Sequence, residues 1–115
     1  MAREWIRNWC ARDIERIVSH FSESAQFVSP VAAKRTGSPL VVGREALCAY
    51  WQVVHSFRSF RSTLERVLWD EAAKELAIVY TREIDGGHDR ACEFLSFDGS
   101  GKVIRGEAMY GAESF

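Results

Sequence analysis

Apolar residues recur along the chain with two different periods, helical in the first half and alternating in the second. Trp5, Ile6, Trp9 and Cys10 share one helical face, and this pattern fades at Ala11-Arg12. Asp13 then starts a second helix, because its carboxylate can accept a first-turn N–H, and Ile14, Ile17, Val18 and Phe21 form the stripe that follows. Ala25 to Val31 reads as a short strand with Phe27 and Ser29 on one face and Gln26 and Val28 on the other. Pro30 ends it, and the polar run from Lys34 to Pro39 reads as a loop. Gly43 precedes a third helix, in which Leu47, Tyr50, Trp51 and Val54 follow i, i+3, i+4, i+7 before the signal fades at Phe57-Arg58.

From Ser62 the period is two. Turn residues at Asp70 to Lys74, Asp85 to His88 and Asp98 to Gly101 divide the remainder into four strands. These are Ser62 to Trp69, Glu75 to Ile84, Asp89 to Phe97 and Lys102 to Gly111. Such strands are long for a small domain and must twist and curl. Helices followed by a meander, with no repeat or linker, predict one α+β domain over residues 1–115, its antiparallel sheet curving around the helices to enclose a mainly apolar pocket.

Composition adds limits to this picture. The 115 residues suffice for one core, and an apolar share of 47% with four tryptophans supplies the side-chain area for it. A formal net charge of −1, spread evenly, provides no field for nucleic acid or an anionic membrane. Cys10, Cys48 and Cys92 are odd in number and far apart, which predicts reduced thiols. The charged start, Met1-Ala2-Arg3-Glu4-Trp5, does not read as a signal peptide, and no window reaches the ~18 apolar residues of a membrane span. The expectation is a soluble, cytoplasmic protein.

The order of segments is similar to that of the nuclear transport factor 2-like superfamily. Within it, the chain resembles the SnoaL-like families, which include ketosteroid isomerases and polyketide cyclases. The resemblance is carried by Ala11-Arg12-Asp13-Ile14 with Phe21 and Ala25-Gln26-Phe27-Val28-Ser29-Pro30, by Gly43-Arg44-Glu45-Ala46-Leu47 with Tyr50-Trp51, and by Phe97-Asp98-Gly99-Ser100-Gly101-Lys102-Val103-Ile104. It implies a cone-shaped, cystatin-like α+β barrel with a pocket at its open end, and a homodimer joined through the outer sheet faces. Val67, Trp69, Ala77 and Val79 are the apolar residues expected on that outer face.

The same resemblance directs attention to particular residues. At the isomerase base it places Ser29, whose hydroxyl cannot take a proton from carbon near neutral pH, and at the isomerase tyrosine it places Trp5. The late-strand acid falls on Glu93. In limonene-type epoxide hydrolases an arginine and an acid lie two residues apart on one strand, and here those positions hold Arg82 and Ile84. Polyketide cyclases need only one acid or base in a shaped cavity, since the substrate is already reactive. Glu93 is therefore the candidate acid or base, and Arg82 its orienter or an anion anchor. The candidate ligand contacts are Trp9, Phe27, Ser29, Trp51, Tyr80, Leu95 and Tyr110.

Asp13 reads as a helix cap with no chemical role. His20, His55 and His88 are isolated, so no sequence-local metal site is expected, and His88 reads as part of a turn. No nucleotide-binding or nucleophile-elbow motif occurs, so no cofactor is expected. Three functions fit these residues. One is a cofactor-independent isomerase, cyclase or hydratase acting on a small apolar molecule by proton transfer. Another is a binding protein for such a molecule, and the third is a dimeric interaction module.

Overall fold

The structure, a computed structural model, describes residues 2–54 and 58–111. His55 and Phe57, like the ends of the predicted domain at Met1 and Phe115, lie outside the described residues. The elements run α1 (Ala2–Cys10), α2 (Ile14–Ser19), β1 (Phe21–Val28), α3 (Pro30–Thr36), β2 (Leu40–Val42), α4 (Arg44–Val54), β3 (Phe60–Asp70), β4 (Glu75–Ile84), β5 (Gly87–Phe97) and β6 (Val103–Tyr110). Asp13 caps α2 by accepting the Arg16 N–H at 3.2 Å.

Two elements depart from the sequence reading. The first strand begins at Phe21, a residue expected in the second helix's stripe, and it ends at Val28 because Ser29-Pro30 opens a helix. Ser29 Oγ accepts the Val31 N–H at 3.2 Å, and Pro30 occupies the first turn, where its missing N–H costs nothing. The predicted loop from Lys34 therefore holds the end of α3 and leads to the short strand β2.

The sheet order is β2-β1-β6-β5-β4-β3. Strands β3 to β6 form the expected antiparallel meander, but β1 joins β6 in parallel, so the sheet is mixed rather than wholly antiparallel. The elements from α3 to β5 lie between β1 and β6 in sequence, and a connection of that length imposes no hairpin direction on the pair. At the β4–β5 turn Asp85 and Gly86 both have positive φ, 49° and 91°. This is a two-residue turn matched to strand twist, which puts His88 inside β5 rather than in the turn.

The helices pack on one sheet face through a cluster of rings. Trp51 of α4 meets Trp9 of α1 and both Phe21 and Phe27 of β1 edge-on, each at 5.2 Å between centroids for Trp9, Phe21 and Phe27. The opposite face differs in detail from the expected one. Val67 and Trp69 stand across from the buried Ile78 and Leu76, so they share the helix-side face, and Trp69 packs on Phe97. A register shift between Leu64 and Arg66 reverses the expected alternation in β3. The outer face instead carries the row Leu68, Ala77 and Phe94 beside the row Val79, Cys92 and Met109.

Candidate functional site

A cavity opens at the end of the sheet where β1, β4 and β6 finish and where β3 starts. Its wall takes Trp9 from α1, Phe27 and Ser29 from the end of β1, Val31 from α3, and Tyr50 and Trp51 from α4. The sheet supplies Phe60, Ser62, Tyr80, Arg82, Glu93 and Tyr110. The cavity volume is about 40 Å³. At roughly 15 Å³ for each water position this is room for two or three waters, well short of the ~300 Å³ of a pocket that swallows a whole ligand.

The lining is mainly apolar by area, with a cluster of polar groups set into it. Trp9, Phe27 and Trp51 make an aromatic wall, but Ser29, Tyr50, Ser62, Tyr80, Arg82, Glu93 and Tyr110 face the same space. Strand pairing explains the concentration. Ser62, Arg82 and Asp89 align in one row across β3, β4 and β5, while Leu64, Tyr80, Ala91 and Tyr110 align in the next. All of these point to the helix side at one end of the sheet.

Glu93 is buried between Ile78 and Ala108, its direct partners on β4 and β6. The Tyr80 hydroxyl donates to Glu93 Oε1 at 3.0 Å, while Oε2 is buried with no hydrogen-bond partner among the described residues. Desolvation dominates its ionisation and pushes the carboxyl up to about 8, although the Tyr80 hydrogen bond and the Arg82 charge pull the other way. Near neutral pH Glu93 is therefore mostly a neutral acid. Burial likewise holds the Tyr50, Tyr80 and Tyr110 hydroxyls above their ordinary value, so they remain protonated donors.

Arg82 does not hydrogen-bond Glu93. It engages Asp89 through two parallel bonds, Nε to Oδ1 at 2.9 Å and Nη2 to Oδ2 at 2.7 Å, and lies 3.9 Å over the Tyr110 ring. Leu95 is fully buried and is not part of the cavity wall. The other eight residues singled out from sequence all line the cavity. Sequence reasoning missed Tyr50, which shares a 3.0 Å hydrogen bond with Ser29 Oγ, together with Val31, Phe60, Ser62 and the supporting Asp89. Tyr50 was visible as one position of the third helix's apolar stripe, and its hydroxyl was the overlooked signal. Among the described residues no group of three or more His, Cys, Asp or Glu side chains is placed to hold a metal ion. No helix among them is long and apolar enough to cross a membrane.

N-terminal helices packed on a curved six-strand mixed sheet are the α+β arrangement of SnoaL-like and nuclear transport factor 2-like proteins. The chain belongs to the SnoaL-like domain family, whose sequence profile matches residues 2–108. A SnoaL-like protein of unknown function from Burkholderia thailandensis is similar in structure, with 27% identity, a TM-score of 0.84, and coverage of 96% of this chain and 91% of that one. A Kribbella flavida protein carrying a provisional ketosteroid isomerase assignment shares the fold at 17% identity and a TM-score of 0.76, covering 99% of this chain and 76% of its own. SalBIII, an epoxide hydrolase/cyclase-like enzyme with a role in pyran ring formation in polyether salinomycin, shares it at 18% identity and a TM-score of 0.75, covering 95% and 86%. No functionally described protein matches by sequence.

Proposed function

We propose that this chain is a cofactor-independent enzyme for a small molecule, in which Glu93 gives its proton to a substrate oxygen at the cavity. The observation that carries this reading is the state of the Glu93 carboxyl. Tyr80 fixes Oε1, which leaves the acidic proton to Oε2, the oxygen without a partner among the described residues. A buried acid with a pKa near the working pH is suited to general acid–base catalysis, worth about 10²–10⁴ in rate. Proton transfer to a carbonyl or epoxide oxygen leaves a carboxylate held by the Tyr80 hydroxyl and by the nearby positive charge of Arg82. Return of a proton from substrate carbon to the carboxylate completes an isomerisation, and attack by a substrate hydroxyl that breaks the epoxide C–O bond and gives its proton to the carboxylate completes a cyclisation. The cavity receives the reacting group, with the rest of the molecule extending past the half-buried Val31, Tyr50 and Phe60.

The test is turnover of a panel of small enones and epoxy-alcohols by wild type and by Glu93→Gln. The variant is expected to fold and to keep ligand-induced stabilisation while losing turnover by 10²-fold or more. Equal turnover by both proteins removes Glu93 from the mechanism. Stabilisation by ligands without turnover in either protein, and its loss in Trp51→Ala, supports a binding role instead.

The outer sheet face supports a second copy of the chain as partner. Leu68 and Met109 are 57% and 48% exposed there, beside the apolar Ala77, Val79 and Phe94. Light scattering of wild type and of Leu68→Lys with Met109→Lys tests this: a dimer that the double substitution splits supports the face, and a wild-type monomer removes it.

A further inference from the structure

We infer that Asp89, which does not itself line the cavity, sets the charge the cavity presents: by engaging Arg82 it offsets that cation toward ligands and weakens its pull on Glu93, so the site selects uncharged molecules over anions. The inference rests on the cavity being a ligand site. Among the described lining residues Arg82 is the one cation. A guanidinium in a poorly hydrated cavity is a strong carboxylate site, because its parallel N–H donors match two oxygens. Here the Nε–Nη2 edge is already filled by Asp89, whose side chain is 2% exposed against 14% for Arg82, and the buried carboxylate offsets the charge that would draw an anion to the remaining Nη1–Nη2 edge. The Tyr110 ring covers one guanidinium face at 3.9 Å, which fixes the plane in which Asp89 meets it. Cross-strand pairing of Arg82 with Asp89 holds both ends of the bridge on rigid backbone.

The groups near Glu93 make the role of Asp89 specific. They are Tyr80 and Arg82 on β4, Tyr110 on β6, Tyr50 on α4, Ser29 ahead of α3, and Asp89 on its own strand. The three tyrosines are neutral throughout the range in which a carboxyl titrates. Arg82 and Asp89 are thus the local charges: Arg82 draws the Glu93 carboxyl down, and the paired Asp89 reduces that pull. Without Asp89, Arg82 would favour the ionised carboxylate and would be open to an exogenous one.

Asp89→Asn keeps the shape of the side chain and removes its charge. Formate, small enough for the cavity, serves as the probe, with chloride at equal ionic strength as reference. Wild type is expected to show no formate-specific change in Tm, whereas Asp89→Asn shows a rise that saturates with formate concentration. The Glu93 carboxyl, followed by its ¹³C shift, is expected to titrate about one to three units lower in Asp89→Asn. Arg82→Gln with Asp89→Asn, which replaces the ion pair by two amides, is expected to lose formate binding and return the titration to the wild-type range or above. Specific formate binding by wild type overturns the inference. So does an unmoved Glu93 titration in Asp89→Asn, or a double variant that behaves like the single one. Should Asp89→Asn not fold, wild type and the neutral double variant carry the decision: formate binding by either overturns it, and binding by neither upholds it. None of these measurements needs the substrate, so they stand or fall separately from turnover by Glu93→Gln.

Discussion

The Tyr80 hydroxyl lies 3.0 Å from Glu93 Oε1, while the other oxygen of the same carboxyl has no partner among the described residues. Tyr80 thus both orients the acid and stabilises its ionised form. Tyr80→Phe keeps the ring and removes the donor. The Glu93 titration should move to higher pH, because one of the two interactions opposing desolvation is gone. The stability cost should be about 1 kcal/mol near neutral pH, the usual size for one hydrogen bond to a neutral group. A ¹³C titration of the Glu93 carboxyl and a denaturant midpoint check both, and a titration that falls or stays fixed contradicts the assigned donor.

Glu93 also predicts a pH dependence of stability. Its pKa rises from an ordinary 4.5 to about 8 on folding, so the folded chain holds a proton that the unfolded chain has released in that window. The sign follows directly: this group's contribution is fully present below about pH 4.5 and is lost as pH rises through 8. At about 1.4 kcal/mol per unit the loss is on the order of 5 kcal/mol. Glu93→Gln should remove that slope. Unfolding in denaturant at several pH values should show the variant gaining stability over wild type from pH 5 to about 8 and levelling off above it, and parallel curves would mean that Glu93 is already ionised in the fold.

How Arg82 came to pair with Asp89 shows what in the site was legible. Inward-facing Glu93 and Tyr80 follow from alternation, which sequence displays. Their register depends on turn length, which it displays less clearly. Taken as four residues, Asp85-Gly86-Gly87-His88 sets Ile84 opposite Asp89 and leaves Arg82 free to seek Glu93. The actual two-residue turn pairs Ile84 with Gly87, and two residues on it puts Arg82 opposite Asp89. The Asp-Gly pair is a known signal for that tighter turn, so the ion pair was recoverable in principle. Ser29-Pro30 was a similar case, a helix start read as a strand end. The parallel joining of β1 to β6 was not recoverable in this way, since a contact between residues so distant in sequence leaves no local pattern. Cavity volume was equally out of reach, because it depends on how the rings pack.

The Arg82–Asp89 pair should respond asymmetrically to substitution. Arg82→Met leaves the buried Asp89 carboxylate without its two donors, and breaking such a pair from one side costs about 3–5 kcal/mol. Arg82→Met combined with Asp89→Leu removes both charges and should be clearly more stable than Arg82→Met alone. Thermal unfolding of the two proteins gives the comparison, and a double variant no better than the single one would show that Asp89 is not left stranded.

The position of Phe27 in the cavity wall depends on a residue that never touches the cavity. Gly106 lies opposite Phe27 on β6, and a Cβ there would stand 2.7 Å from the Phe27 ring and 3.2 Å from Leu95. On its other sides the ring meets Trp51 at 5.2 Å and Phe21 at 6.3 Å between centroids, so it cannot retreat without moving the aromatic wall. Two effects of Gly106→Ala compete. Removing a strand glycine gains about 0.5–1 kcal/mol of backbone entropy, while overpacking a filled core costs about 1–3 kcal/mol. Overpacking should win, lowering the denaturant midpoint. Adding Phe27→Leu to Gly106→Ala makes room for the new methyl group, so the pair should be less destabilising than the separate costs of the two substitutions added together. A Gly106→Ala variant as stable as wild type would show that Phe27 has space to move, and with it that the cavity wall is softer than its ring contacts indicate.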